Sequence, residues 1–344
     1  MIEWLKLTDE RKRQILNQVN EATGLPVHAI EKDWWVTLAL QAIFSTKWKD
    51  NLVFKGGTSL SKAWGLIQRF SEDIDLAIDR KVLGFPEEFV SNTQVAKVRK
   101  KASAFIATEF REELEKTLLD IGLKATQFQL RVQETELEDR DPQVLELVYH
   151  SSLEPDTYIE EKVLIEIGGR SLREPASQKE IKTILYEEFP TQAFSGKPFM
   201  TPTVDPMRTF LEKAFLLHEE FSKPLEKIRH DRLSRHLYDL EKLMDTEHAA
   251  AALSNYDFYT SIVEHRIKFN AIRGLDYSGH VPSRINFIPP ADIIGKWEAD
   301  YKTMRQSMIY GDTPEFAVLI QRLSKLQDRF RLILLPSEAG DTNQ

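Results

Sequence analysis

The chain has 344 residues, 42% hydrophobic and 29% charged, an ordinary globular composition with room for two modest domains or one large elaborated one. It contains 0 Cys, which excludes a disulfide framework, a thiolate zinc site and a cysteine nucleophile, and leaves oxygen and imidazole as the ligands for any metal. A formal charge of −8 argues against broad nonspecific affinity for nucleic acid, although it does not bear on local patches.

Residues 9 to 22 and 27 to 45 have helical periodicity, the second segment opening after Pro26 with Trp34, Leu38 and Ile43 among its apolar positions. The longest apolar stretch, around Trp34 to Phe44, is interrupted by Thr37 and Gln41, and no signal-peptide core follows Met1. A soluble, cytoplasmic protein of a reducing compartment without membrane contact is expected. Leu52-Val53-Phe54 suits a buried strand ended by Gly56-Gly57, and a helix is expected from Thr58 to about Ile67. Ile74, Leu76 and Ile78 then alternate with Asp73, Asp75 and Asp79, the period of a strand with one wet face. A long charged helix is predicted over 95 to 120, with strands at 127 to 134, 144 to 149 and Lys162 to Ile167, the last stopped by Gly168-Gly169.

The stretch from Gln178 to Pro206 holds Pro190, Pro198 and Pro202 and reads as the boundary, near 200, between a mixed half and a helical half. Helices are predicted at 206 to 221, 230 to 246, 255 to 270, 291 to 310 and 314 to 333. The resulting class is α+β: a mixed sheet flanked by helices in residues 1–200, a mainly helical domain in 201–335, and a flexible tail over 336–344.

Asp73 and Asp75 stand two apart on a strand, so both side chains leave one face and can share a divalent metal that neutralises their repulsion. An acidic strand end would read the same way. Upstream, Gly56 and Gly57 let the backbone approach a ligand, and Thr58 and Ser59 can add hydroxyl donors; a capped turn is the alternative. This is no Walker loop, because Ser61 stands where the second glycine is needed. Two basic runs, Lys97 to Lys101 and Lys227 to His236, are each either phosphate-attracting or a solvated helix face. The segment His218-Glu219-Glu220 lacks the second histidine of a zinc-protease helix, and no Gly-x-Ser-x-Gly elbow is present.

Phe54-Lys55-Gly56-Gly57-Thr58-Ser59-Leu60-Ser61-Lys62, followed by Phe70-Ser71-Glu72-Asp73-Ile74-Asp75-Leu76, resembles the nucleotidyltransferase superfamily. More narrowly it is similar to the AbiEii/AbiGii (MenT-like) toxins of abortive-infection and toxin–antitoxin systems. The resemblance extends to Glu31-Lys32-Asp33, Lys213, Asp239, and Asp300-Tyr301 with Met304, which is most of the chain. It implies a nucleotide-binding set of Gly56, Gly57, Thr58, Ser59, Lys62 and Lys213, metal-binding aspartates Asp73 and Asp75, and a catalytic or structural Asp239. Glu166 is the expected third carboxylate, as metal ligand or base. On periodicity Lys213 lies at the margin of an apolar stripe, where it could equally be a surface lysine, and Asp239 with Arg232 or Arg235 could be a plain surface pair. Asp33 reads better as a buried helix carboxylate paired with a nearby lysine.

The implied reaction is Mg²⁺- or Mn²⁺-dependent transfer of a nucleoside monophosphate from an NTP to an acceptor hydroxyl such as a tRNA 3′ end, between the two domains. Arg232 and Arg235 would meet phosphate or a polynucleotide acceptor, and a separately encoded antitoxin would restrain the protein. Transfer to a protein or a small molecule, or a catalytically silent nucleotide-binding module, are the alternatives.

Overall fold

The computed structural model describes residues 1–86, 92–135, 141–156, 159–169, 173, 175–269, 272 and 274–333. Two compact units divide the chain: Met1–Gly65 with Phe70–Val204, and Leu66–Arg69 with Asp205–Gln344.

The first unit opens with α1 (Asp9–Thr23), capped by the Thr8 side chain and closed by Gly24 at φ +74°, and α2 (Val27–Ile43). Helix α2 is buried all round rather than along one stripe: 14 of its 17 residues are buried, Glu31, Lys32 and Asp33 among them, as befits a helix inside a core. There follow β1 (Leu52–Lys55), α3 (Gly56–Lys62), β2 (Ile74–Ile78), α4 (Asn92–Phe105), α5 (Arg111–Asp120), β3 (Phe128–Val132), β4 (Gln143–Tyr149), β5 (Lys162–Gly168), β6 (Ala176–Ile181), α6 (Ile184–Glu188) and β7 (Phe199–Val204). The strands form one mixed sheet in the order β3-β4-β5-β2-β1-β7-β6. Strand β2 runs antiparallel to β1 and parallel to β5, and these three apolar strands lie at its centre.

Four local expectations change. The helix after β1 begins on Gly56 itself and stops at Lys62, because Gly65 at φ +63° turns the chain away; the glycines are its first turn, not a turn before it. Strand β2 has less of a wet face than alternation implied, since Ala77 is fully buried. The helix over 95 to 120 is broken by a π turn at Ile106–Phe110. Val95, Val98, Ala102 and Phe105 step by three and four toward Glu109; the extra residue of the π turn brings Phe110 to the core instead, and the stripe resumes at Leu114 and Leu118. The boundary stretch from Gln178 to Pro206 in fact contains most of β6 and all of β7, which sequence hid because β6 is a polar edge strand and β7 carries Pro202.

The second unit holds the Leu66–Arg69 segment with α7 (Pro206–Phe221), α8 (Ser234–Leu243), α9 (Glu247–Ser254), α10 (Tyr256–Phe269), α11 (Ile294–Ser307) and α12 (Phe316–Arg331). Asp205 caps α7, with Pro206 in its first turn. Helix α8 starts four residues later than expected: Arg232 lies at φ +58°, and Asp300 takes the backbone N–H groups of Arg232 and Ser234 at 2.7 and 2.9 Å. The alanine-rich α9 was missed. The tail from Pro336 lies outside the described residues, among which no helix is long and apolar enough to cross a membrane.

His218 on α7 is buried, accepts from the Asn286 N–H at 3.1 Å and packs edge-on against His280. Burial first, and the neighbouring His280 second, push its pKa down to about 4. The unfolded chain therefore takes up a proton near pH 6.5 that the folded chain refuses until about pH 4. Acidification through that window should lower stability by up to about 3 kcal/mol. Denaturant titrations at pH 7 and 4.5 test this, and His218→Gln should flatten the difference.

Candidate active site

In the first unit the parallel register sets Asp75 beside Glu166, and the antiparallel register sets Lys55 opposite Asp75. Paired residues share a face, so Lys55, Asp75 and Glu166 form one half-buried row across three central strands. Neighbouring strands lie about 4.8 Å apart, and two carboxylates at that spacing repel by roughly 3 kcal/mol at an effective dielectric near 20. Asp73 stands just ahead of β2 and is also half-buried.

Gly56 fixes what lies against this row. A Cβ built there would stand 1.9 Å from Asp75 Oδ2 and 2.6 Å from its Cγ, and the residue has φ +78°. Only glycine lets the backbone come this close. Thr58 and Ser59 are completely buried. Thr58 Oγ1 donates to the Asp73 carbonyl at 2.5 Å and lies 2.9 Å from Ser71 Oγ, while Ser59 Oγ donates to the Gly56 carbonyl at 2.9 Å. These hydroxyls hold the glycine turn against the Asp73–Asp75 strand rather than facing outward. With both hydroxyls bonded internally, the groups this turn has left to offer are those of its backbone.

The other residues quoted from the first unit are tied to one another. Lys62 is ion-paired with Asp33, whose Oδ2 accepts from the Ile184 N–H at 2.8 Å. Lys32 donates to Glu72 at 2.6 Å, and Glu31 accepts from Ser151 and from both the backbone and hydroxyl of Ser152. Glu31-Lys32-Asp33 thus braces the loops around β2 and α3, and Lys62 is part of that brace.

In the second unit Lys213 and Asp239 meet directly, Nζ to Oδ2 at 2.7 Å. Asp239 is not on the surface: it is fully buried, and Arg69 grips it with Nε on Oδ1 at 2.7 Å and Nη2 on Oδ2 at 2.8 Å. Although burial opposes ionisation, Arg69 and Lys213 hold the Asp239 carboxyl well below the usual range. Burial pushes the Lys213 ammonium down in spite of Asp239. His236, held well below its ordinary value by burial and by Lys213, stays neutral with Nδ1 3.4 Å from Nζ. Arg232 is exposed and Arg235 half-buried at the start of α8, while Arg229 of the same basic run is taken by Glu220 at 2.8 Å.

A family model described as the nucleotidyl transferase AbiEii toxin of type IV toxin–antitoxin systems matches residues 38–329. The chain belongs to the AbiEii nucleotidyltransferase toxin family. Its fold is similar to that of MenT4, a nucleotidyltransferase toxin from Mycobacterium tuberculosis H37Rv, with a TM-score of 0.52 at 18% identity over 97% of this chain and 92% of that one. No curated protein matches the sequence.

The resident metal expected of an AbiEii transferase is tested by the donor set. Among the described residues no three His, Asp or Glu side chains stand together as a ready cage. Mg²⁺ needs none, because it keeps waters and binds through one or two carboxylates with substrate phosphates. Asp75 and Glu166, hard donors at paired positions on one face of the sheet, fit that mode, with Asp73 two residues before Asp75. Arg69 was not foreseen as part of either cluster; the signal was a lone arginine between apolar Ile67 and Phe70. In this family member Gly56→Ala should displace Asp75 and cut transfer on the order of 10²-fold, as small misplacements of reacting groups do. Activity and thermal melting of the variant check this, with a folded but slow protein expected.

Proposed function

We infer that the protein moves a nucleoside monophosphate from an NTP to an acceptor hydroxyl, with the 3′ end of tRNA as the preferred acceptor, and that a separately encoded antitoxin restrains it. The observation that supports this best is the register of Asp75 with Glu166 beneath the Gly56 backbone. Asp73, Asp75 and Glu166 would hold Mg²⁺ or Mn²⁺. When bound, the divalent ion offsets phosphate charge and makes an acceptor hydroxyl easier to deprotonate.

The chain's own groups do the rest. Gly56 and Gly57 offer backbone close to the triphosphate without side chains in the way. Lys213 supplies a cation for phosphate charge, and Arg232 and Arg235 would meet the acceptor's backbone. Glu166, which shares a sheet face with Asp75, would serve either as a ligand or as the base that takes the acceptor proton. Attack at the α-phosphorus forms the new P–O bond as the bond to pyrophosphate breaks.

Incubation with Mg²⁺, each labelled NTP and total RNA should label small RNA. Label on protein or on a metabolite would refute the tRNA acceptor while keeping the transfer. No label in any fraction, with a folded protein, would refute the transfer itself.

A further inference from the structure

Helix α3 meets the strand after it at two points. The Gly56 backbone lies against the Asp75 side chain, and the Thr58 hydroxyl donates to the Asp73 carbonyl at 2.5 Å. Between them Ile74 is fully buried and level with Ile165 of β5. The segment Asp73-Ile74-Asp75 is thus held at each of its three residues, by a hydroxyl, a core side chain and a neighbouring backbone.

The two buried hydroxyls of α3 differ in reach. Ser59 Oγ bonds the Gly56 carbonyl within its own turn, whereas Thr58 Oγ1 crosses 15 positions of sequence to the backbone ahead of β2. Antiparallel pairing of β1 with β2 runs to Lys55 and Asp75, where β1 gives way to α3. Asp73 lies beyond that last pair, so Thr58 ties its backbone down where the ladder with β1 has ended. Thr58 Oγ1 also lies 2.9 Å from the Ser71 hydroxyl, a second tie to the same approach. With 0% of its surface exposed, Thr58 acts on its neighbours in the chain rather than on a ligand.

We propose that Thr58 is a positioning residue for Asp73: its buried hydroxyl fixes the backbone that carries the Asp73 carboxylate, and so sets that carboxylate beside Asp75 for a divalent cation. This rests on the reading of Asp73 and Asp75 as metal ligands. Thr58 itself touches neither the cation nor the nucleotide. A cation gains most from donors already in place, because a loosely held carboxylate must give up its freedom at the moment of binding. Groups one step behind a metal ligand commonly change metal affinity by about 10–100-fold when removed. Valine has nearly the shape of threonine without the hydroxyl, and serine keeps the hydroxyl without the methyl, so the two substitutions separate the hydrogen bond from the packing.

The test measures Mn²⁺ binding to the full chain by electron paramagnetic resonance of the free ion, with and without inorganic triphosphate, reading affinity and stoichiometry separately. Thr58→Val should weaken Mn²⁺ binding about tenfold at unchanged stoichiometry, the low end of the range because the hydroxyl holds the ligand's backbone and not its carboxylate. Thr58→Ser should stay within about threefold of the unsubstituted chain. Unchanged affinity in Thr58→Val would overturn the proposal, and unchanged affinity with reduced stoichiometry would mark a purely structural threonine. Thr58→Ser as weak as Thr58→Val would make packing the cause and overturn it equally. If Thr58→Val does not fold, Thr58→Ala takes its place: the same loss is expected, and unchanged affinity again overturns the proposal. Unchanged affinity in both Asp73→Asn and Asp75→Asn, or no Mn²⁺ binding by the unsubstituted chain in either condition, would instead overturn the metal reading, and the proposal with it.

Discussion

On the proposed role of Asp75 as a metal ligand, Asp75→Asn is expected to reduce nucleotidyl transfer by about 10³-fold or more while leaving the fold intact, since losing a charged ligand would remove several kcal/mol of charge stabilisation. Asparagine has nearly the same volume, so it can remain under the Gly56 backbone that presses on this side chain. Stability should change little, because the substitution relieves the repulsion with Glu166 across β2 and β5 while removing the negative charge opposite Lys55 on β1. Labelled-NTP transfer and thermal melting on one preparation separate the two effects. A fall in melting temperature matching the loss of activity would mean that Asp75 is a structural carboxylate. Glu166→Gln should follow the same pattern if the register is used for metal, with a smaller loss if Glu166 serves as base.

Asp239→Ala should instead be a stability mutation of the first rank, costing about 3–5 kcal/mol, because it takes the shared carboxylate from two buried cations. Native chains hold only about 5–15 kcal/mol in all, so the variant would be near its threshold. Lys213→Met should cost much less, since Asp239 keeps both bonds from Arg69. Denaturant midpoints of the two variants decide the matter; equal midpoints would overturn this account. The depressed Asp239 carboxyl contributes stability above the ordinary carboxylate range and loses it only as pH falls through the lower folded value. Its loss thus lies at more acid pH than that of His218, which begins at 6.5 and is complete near 4.

Much of the first unit was legible because its signals are local. The apolar run Leu52 to Phe54, the glycine pair and the alternating Asp73 to Ile78 each set a period or a turn within a few residues, and the structure has β1, α3 and β2 there. Elements stabilised by distant partners were not legible. Strand β6 is polar and forms by pairing with β7, and the π turn at Ile106–Phe110 serves a core that no helical pattern in isolation reveals. Lys213 and Asp239 were each ambiguous on their own helices, because periodicity reports which face a residue is on and not what that face meets.

By itself, the sequence determined an α+β chain without cysteine, the carboxylate pair and the glycine pair on which the proposed transfer rests, and the family to which these motifs belong. Tertiary structure alone decided which charges meet which. It put Glu166 level with Asp75, turned Thr58 and Ser59 inward, bound Lys62 to Asp33, and buried Arg69 on Asp239 across 170 positions of sequence. The physical reason is the range of the interactions. Turns and periods are fixed by steric and hydrogen-bonding rules over a few residues, whereas the role of a charge depends on which counter-charge the folded chain brings within about 3 Å of it.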